Sequence, residues 1–161
     1  MNDKPLEVYV GELLRQRGLR LAVAESCTGG LIGHRLTNVA GSSTYFIGGV
    51  TSYAYEAKVR LLGVRWETLE AHGAVSQKTV LEMARGVRKV LAADVGLAVS
   101  GIAGPGGGTP EKPVGTTWIG LSTSAYEHAW SYRLQGDRLQ IKEQAAEQAL
   151  LRLAEYLDGT R

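Results

Sequence analysis

The 161-residue chain reads as a single α/β domain, a three-layer α/β/α sandwich built on a mixed β-sheet. Three observations predict it. Apolar runs of strand length alternate with segments of helical period through the first two thirds of the chain, as in a sheet covered by helices. Two strand-like runs then follow one another directly, which adds a late hairpin and makes the sheet mixed. Finally, a hydrophobic share of 44% and a charged share of 21% are those of an ordinary globular domain, large enough to bury a core without disulfides or metal. With no internal repeat and no linker, residues 1–161 are expected to form one domain.

In chain order, Leu6, Val10, Leu13 and Leu14 fall on one face of a helix that ends near Gly18. Leu21 to Ala24 is a buried strand, followed by the turn Glu25-Ser26-Cys27-Thr28-Gly29-Gly30 and a helix from Leu31 to Val39. Gly41-Ser42-Ser43-Thr44 breaks the chain, and Tyr45 to Tyr53 is a strand in which Gly48 and Gly49 mark a bulge or a close contact. Short helices are expected over Tyr55 to Leu62 and Trp66 to Ala71, the second closed by Gly73. Ser76 caps a longer helix whose apolar face carries Val80, Met83, Val87, Val90 and Leu91. Val95 to Val99 is a second buried strand. A loop from Ser100 to Gly115, rich in Gly and Pro, is of the length and composition that usually mark function or mobility. The hairpin strands Thr116 to Thr123 and Glu127 to Leu134 lead through Gly136-Asp137-Arg138 to a terminal helix with Ile141, Ala145, Ala149 or Leu150, and Leu153 inward.

Charge and cysteine count remove several function classes. Eighteen basic and sixteen acidic residues are scattered without a basic run, so nucleic-acid binding is not indicated. The single cysteine, Cys27, cannot form an internal disulfide, and no Cys/His array suggests a metal. Met1-Asn2-Asp3-Lys4-Pro5 is unlike a signal peptide, and no apolar run approaches the ~20 residues that span a bilayer. The expectation is a cytoplasmic protein without membrane association.

The turn after the first strand is the centre of interest. Its glycines allow a sharp bend and close approach of another molecule, and the amides of the following helix point back at it. Ser26 or Thr28 there is either an N-cap or a hydroxyl set among donors suited to an oxyanion or a phosphate. Cys27 reads as a small buried residue. His34, His72 and His128 belong to no serine-hydrolase spacing.

Seven stretches, in order, resemble the C-terminal domain of the competence/damage-inducible CinA family. They are Ala24 to Gly30, Gly41-Ser42-Ser43, Tyr53-Ala54-Tyr55-Glu56-Ala57-Lys58, Gly73-Ala74-Val75-Ser76, Ser100 to Pro105, Lys112 to Thr116, and Gly136-Asp137-Arg138. The resemblance runs from about Leu6 to Leu157. Characterised members are nicotinamide-nucleotide amidohydrolases, which hydrolyse the carboxamide of nicotinamide mononucleotide to nicotinate mononucleotide and ammonia. Many relatives add an N-terminal domain with nucleotide pyrophosphatase activity, for which 161 residues leave no room, so the likeness is to the stand-alone form.

The resemblance implies a metal- and cofactor-independent serine amidase acting on a small nucleotide. It assigns the nucleophile to Ser26, the base to Lys58, and a relaying or orienting role to Tyr53, against the plainer reading of Lys58 as a solvated helix lysine. Substrate contacts are implied for Glu25, Thr28, Gly29, Gly30, Ser42, Ser43, Ser100, Gly101 and Arg138, the arginine serving the 5′-phosphate. Each has a duller alternative: a helix-start carboxylate for Glu25, loop or turn caps for the serines, and a surface pairing with Asp137 for Arg138. Ser100 stands where many relatives have Thr, and Tyr55 where they often have Asn. Tyr45 is a candidate for stacking on a pyridinium ring. Trp66, Trp118 and Trp130 read as core or interface, and tryptophans on the late strands would suit a homodimer. The Gly104 to Gly115 loop is expected to close over substrate. The alternative functions are a non-catalytic nucleotide- or phosphate-binding module, or an amidase for another small amide.

Overall fold

A computed structural model describes residues 4–160. The segment 1–3, read above for targeting, lies outside the described residues. Among the described residues, six α-helices and five strands follow in the order α1 (Leu6–Arg17), β1 (Leu21–Glu25), α2 (Leu31–Thr37), β2 (Phe46–Thr51), α3 (Tyr55–Leu62), α4 (Trp66–His72), α5 (Gln77–Val90), β3 (Val95–Gly101), β4 (Thr116–Ser122), β5 (Glu127–Arg133) and α6 (Arg138–Asp158). A 3-10 turn occupies Ser42–Thr44.

The sheet order is β2-β1-β3-β4-β5. β1 runs parallel to both β2 and β3, while β3–β4 and β4–β5 are antiparallel, so the sheet is mixed as expected. Side chains alternate between the two faces of each strand. Leu21 and Val23 of β1 therefore enter a core shared with Val10 and Leu14 of α1, Ile32 and Leu36 of α2, and the apolar side of α6. Ala22 and Ala24 face a second core formed with α3, α4 and α5 through Leu62, Leu69, Val80 and Met83. Those two cores are the inner faces of a three-layer sandwich. Among the described residues no helix is long and apolar enough to cross a membrane.

Several elements close where their end residues dictate. Gly18 takes the left-handed conformation (φ 63°) that ends α1. Ser76 accepts the Thr79 amide at the start of α5, and Asp137 with Gln140 completes a capping box at the start of α6. The bulge predicted in β2 is present, since the pairing register with β1 shifts between Leu21 and Ala22. Two expectations fail. Val90 is 59% exposed, because α5 ends there and its apolar stripe has already rotated off the sheet. The second helix stops at Thr37, two residues short of Val39.

The topology also fixes where a ligand can enter. From β1 the chain crosses by α2 to β2 on one side, then by α3–α5 to β3 on the other. The crevice beyond the carboxyl ends of β1 and β3 is thus a switch point, where open α/β sheets bind ligands. Ser26 is the first residue past β1, and its amide extends the pairing to the Val99 carbonyl of β3 at 3.1 Å.

Candidate active site

Alternation along β1 sends Glu25 to the α2 side of the sheet and Ser26 to the α3 side. α3 brings Lys58 to meet it. Lys58 is completely buried, and its ammonium nitrogen lies 2.9 Å from Ser26 Oγ. The same nitrogen donates to the main-chain carbonyls of Ser52 (2.6 Å) and Tyr53 (3.1 Å). No carboxylate compensates it: burial pushes the amine down to about 8, from an ordinary 10.5. A charged lysine donates three hydrogens, one to each partner. A neutral one has two, and the two fixed carbonyls take both, leaving the lone pair aimed at the Ser26 hydroxyl. That geometry, with the amine pKa lowered, is the one a general base beside a serine hydroxyl needs. The solvated-lysine reading does not describe this side chain.

A cleft of about 260 Å³ opens over this pair, lined by Ser26, Cys27, Tyr53, residues 101–104, Gly106, Gly107 and Arg138. Gly101 must be small there, since a Cβ would stand 2.7 Å from Thr117 Oγ1 and 3.1 Å from Cys27 Sγ. Ser100 is 1% exposed. It follows Val99 as Ser26 follows Glu25, and Val99 and Glu25 are register partners, so the two serines lie side by side on one sheet face. In the turn, the amides of Gly29 and Leu31 are occupied by the carbonyls of Ser26 and Thr28. The donors at Cys27, Thr28 and Gly30 are the ones left to meet a developing oxyanion. Cys27 is buried and burial pushes its thiol up to about 11, so it is no competing nucleophile.

Arg138 starts α6 at the rim. Its guanidinium donates to the Gly104 carbonyl (2.7 Å) and to the Tyr53 hydroxyl (3.0 Å), tying α6, the glycine loop and the β2–α3 connection across the mouth. Asp137 does not pair with it, because its carboxylate is used on the Gln140 amide. Among the described residues no group of three His, Cys, Asp or Glu side chains is arranged to hold a metal ion.

Several expected site residues stand elsewhere or act differently. Ser42 and Ser43 precede β2, whose first residue pairs with Leu21 at the start of β1, whereas Ser26 follows its end. The five residues of β1, at ~3.3 Å each, separate them by roughly 17 Å. The Glu25 carboxylate accepts from the Thr28 hydroxyl (2.6 Å) and from the amides of Ile32 (2.9 Å) and Gly33 (3.0 Å). Both Glu25 and Thr28 side chains thereby hold the start of α2. The Tyr53 hydroxyl accepts from Arg138 and has no hydrogen bond to Ser26 or Lys58, while the Tyr53 carbonyl accepts from Lys58. Tyr45 is 1% exposed beneath the Arg15 guanidinium at the far end of the sheet, out of reach of a pyridinium. Trp66 is 42% exposed beside Tyr55, while Trp118 and Trp130 are partly buried against the two cores. What sequence reasoning missed is main chain: the Ser52, Tyr53 and Gly104 carbonyls carry no side-chain signal.

Fold and site together define a class, a mixed-sheet α/β domain whose switch-point cleft pairs a buried serine with a buried, uncompensated lysine. The family model described as the CinA C-terminal domain matches residues 3–157, and the chain belongs to that family. It is 51% identical over 162 residues to a CinA-like protein of Chloroherpeton thalassium, covering 98% of this chain and 39% of that protein. It is 48% identical over 160 residues to a CinA-like protein of Thermotoga maritima, covering 99% of this chain and again 39% of that one. The chain thus spans about two fifths of the length of these curated relatives. Among solved structures, a CinA superfamily protein from Klebsiella pneumoniae superposes with a TM-score of 0.92 at 38% identity, over 96% of each chain. The competence/damage-inducible protein CihA from Agrobacterium tumefaciens does so with a TM-score of 0.89 at 38% identity, over 98% of this chain and 99% of that one.

Proposed function

We propose that this chain is a serine amidohydrolase acting on the carboxamide of nicotinamide mononucleotide. The observation that carries the reading is the 2.9 Å contact between Ser26 Oγ and a buried Lys58 whose remaining hydrogens are taken by two carbonyls. Neutral Lys58 takes the hydroxyl proton as Ser26 attacks the carboxamide carbon. The oxyanion that forms meets the amides of the turn after Ser26. Lys58, now an ammonium, returns its proton to the departing nitrogen, which leaves as ammonia. Water, deprotonated by the same lysine, then releases nicotinate mononucleotide from the acyl-serine. Arg138 at the rim suits the 5′-phosphate, and Ser100 beside the nucleophile suits the carboxamide. The resemblance to characterised amidohydrolases supplies the substrate; the site supplies the chemistry it needs. A cytoplasmic location accords with pyridine-nucleotide recycling.

The test is ammonia release from nicotinamide mononucleotide, with chelator present, by the parent chain, Ser26→Ala and Lys58→Arg. Turnover by the parent alone is expected. Undiminished turnover by Ser26→Ala would overturn the nucleophile. A parent that binds the nucleotide without turnover would leave only a binding module.

A further inference from the structure

Two cations on α6 face the turn that carries Ser26, and only one has been given a role. Arg138 and Lys142 are four residues apart, so they share one face of the helix. The Lys142 ammonium reaches to 3.7 Å from the point where a Cβ would stand on Gly29, and its charge is felt at the Cys27 thiol. It therefore lies against the far side of the nucleophile turn, with Lys58 on the opposite face of the sheet. Gly29, at φ 62°, presents no side chain to fill the space before it.

Neither cation is neutralised. Arg138 meets only neutral acceptors, the Gly104 carbonyl and the Tyr53 hydroxyl, and among the described residues Lys142 has no hydrogen-bond or ion-pair partner. Arg35, Arg65, Arg85 and Arg152 each pair with a glutamate, whereas the Arg15, Arg20 and Arg133 side chains, like Arg138, meet neutral acceptors. Asp137, next to Arg138, caps its own helix, and Glu143, next to Lys142, forms no ion pair with it. Two like charges one turn apart repel each other. An anion between them removes that repulsion, and a doubly charged one does so fully.

We propose that Lys142 is the second cation of a phosphate-monoester site, set with Arg138 on the α6 face that meets the Gly29 turn beside the cleft. Arg138 offers a planar fork and Lys142 a compact point charge, and together they match a dianion better than either alone. The phosphate is held one ribose away from Ser26, and the pair sets the preference for a nucleotide over its nucleoside. The identity of the reacting amide rests on the amidohydrolase reading, whereas the phosphate site rests on the two cations.

The experiment compares kcat/KM for nicotinamide mononucleotide and nicotinamide riboside in the parent, Lys142→Gln and Lys142→Arg. Loss of one charge-assisted contact lowers the nucleotide-over-riboside preference about 10- to 100-fold in Lys142→Gln, with the loss in KM, and Lys142→Arg restores most of it. An unchanged preference in Lys142→Gln overturns the proposal while leaving the amidohydrolase standing. Should the parent release ammonia from neither compound, the amidohydrolase reading fails by itself. Calorimetric titration of ribose 5-phosphate then decides the site: weaker binding by Lys142→Gln sustains it, and equal or absent binding in both chains overturns it.

Discussion

Lys58 is a buried amine with no carboxylate beside it, and that one fact organises the chemistry at residue scale. The proton must leave before Ser26 can be activated, so kcat/KM should rise with pH and level off above about 8, the value to which burial pushes the amine. Lys58→Arg keeps its proton at every working pH and should lose about 10³-fold or more in kcat, as should Ser26→Ala. Stability follows the same titration. Between about 8 and 10.5 the unfolded chain holds the lysine proton and the folded chain does not, so stability rises with pH through that window and is penalised below it. The full shift corresponds to roughly 3 kcal/mol. Urea denaturation of the parent and Lys58→Met at pH 7.5 and 10 checks this: the parent should gain stability relative to the variant at the higher pH, and parallel changes would refute it.

At the scale of elements, α5 lies unusually close to its neighbours because small residues let it. A Cβ on Gly86 would stand 1.9 Å from the Leu62 carbonyl at the end of α3, and one on Gly96 would stand 2.1 Å from the Ala84 carbonyl. Gly86→Ala should therefore destabilise the protein by about 1–3 kcal/mol, read as a lowered urea midpoint, although alanine is the better helix former. Because α3 carries Lys58, the same variant should also lower kcat. The start of α6 makes a different prediction. Asp137→Ala removes the capping box that presents Arg138, which should cost about 1 kcal/mol of stability and raise KM for the nucleotide more than it lowers kcat. A kcat effect alone would separate the cap from the rim.

For the whole molecule, the site exists only where distant segments converge: the turn after β1, the end of β2 with α3, the loop after β3, and the first turn of α6. The 104–115 loop is tied at its base by Gly115 to Ile102 (2.8 Å), Lys112 to the His72 carbonyl (2.5 Å) and Arg133 to the Glu111 carbonyl (3.1 Å), while Gly106 and Gly107 line the cleft. Its tip is the part able to close, so nucleotide should slow limited proteolysis there. Equal cleavage with and without nucleotide would remove the lid.

The elements themselves were legible in the sequence, because periodicity, caps such as Ser76 and Asp137, and the glycine turns are local signals. So was the serine turn, since a strand, a tight bend and a helix start announce themselves in seven residues. Sequence alone thus determined the layers of this protein and the turn on which the proposed site is built. Tertiary structure decided the rest. It placed Ser42 and Ser43 at the opposite end of β1 from Ser26, gave the Glu25 and Thr28 side chains to the start of α2, and turned the Tyr53 hydroxyl toward Arg138. It also enclosed Lys58 and gave two carbonyls to its hydrogens, which suits it to the base role proposed above. The physical reason is the same in each case: alternation and caps act over a few residues, but desolvation and hydrogen-bond partners are properties of whatever the fold brings near.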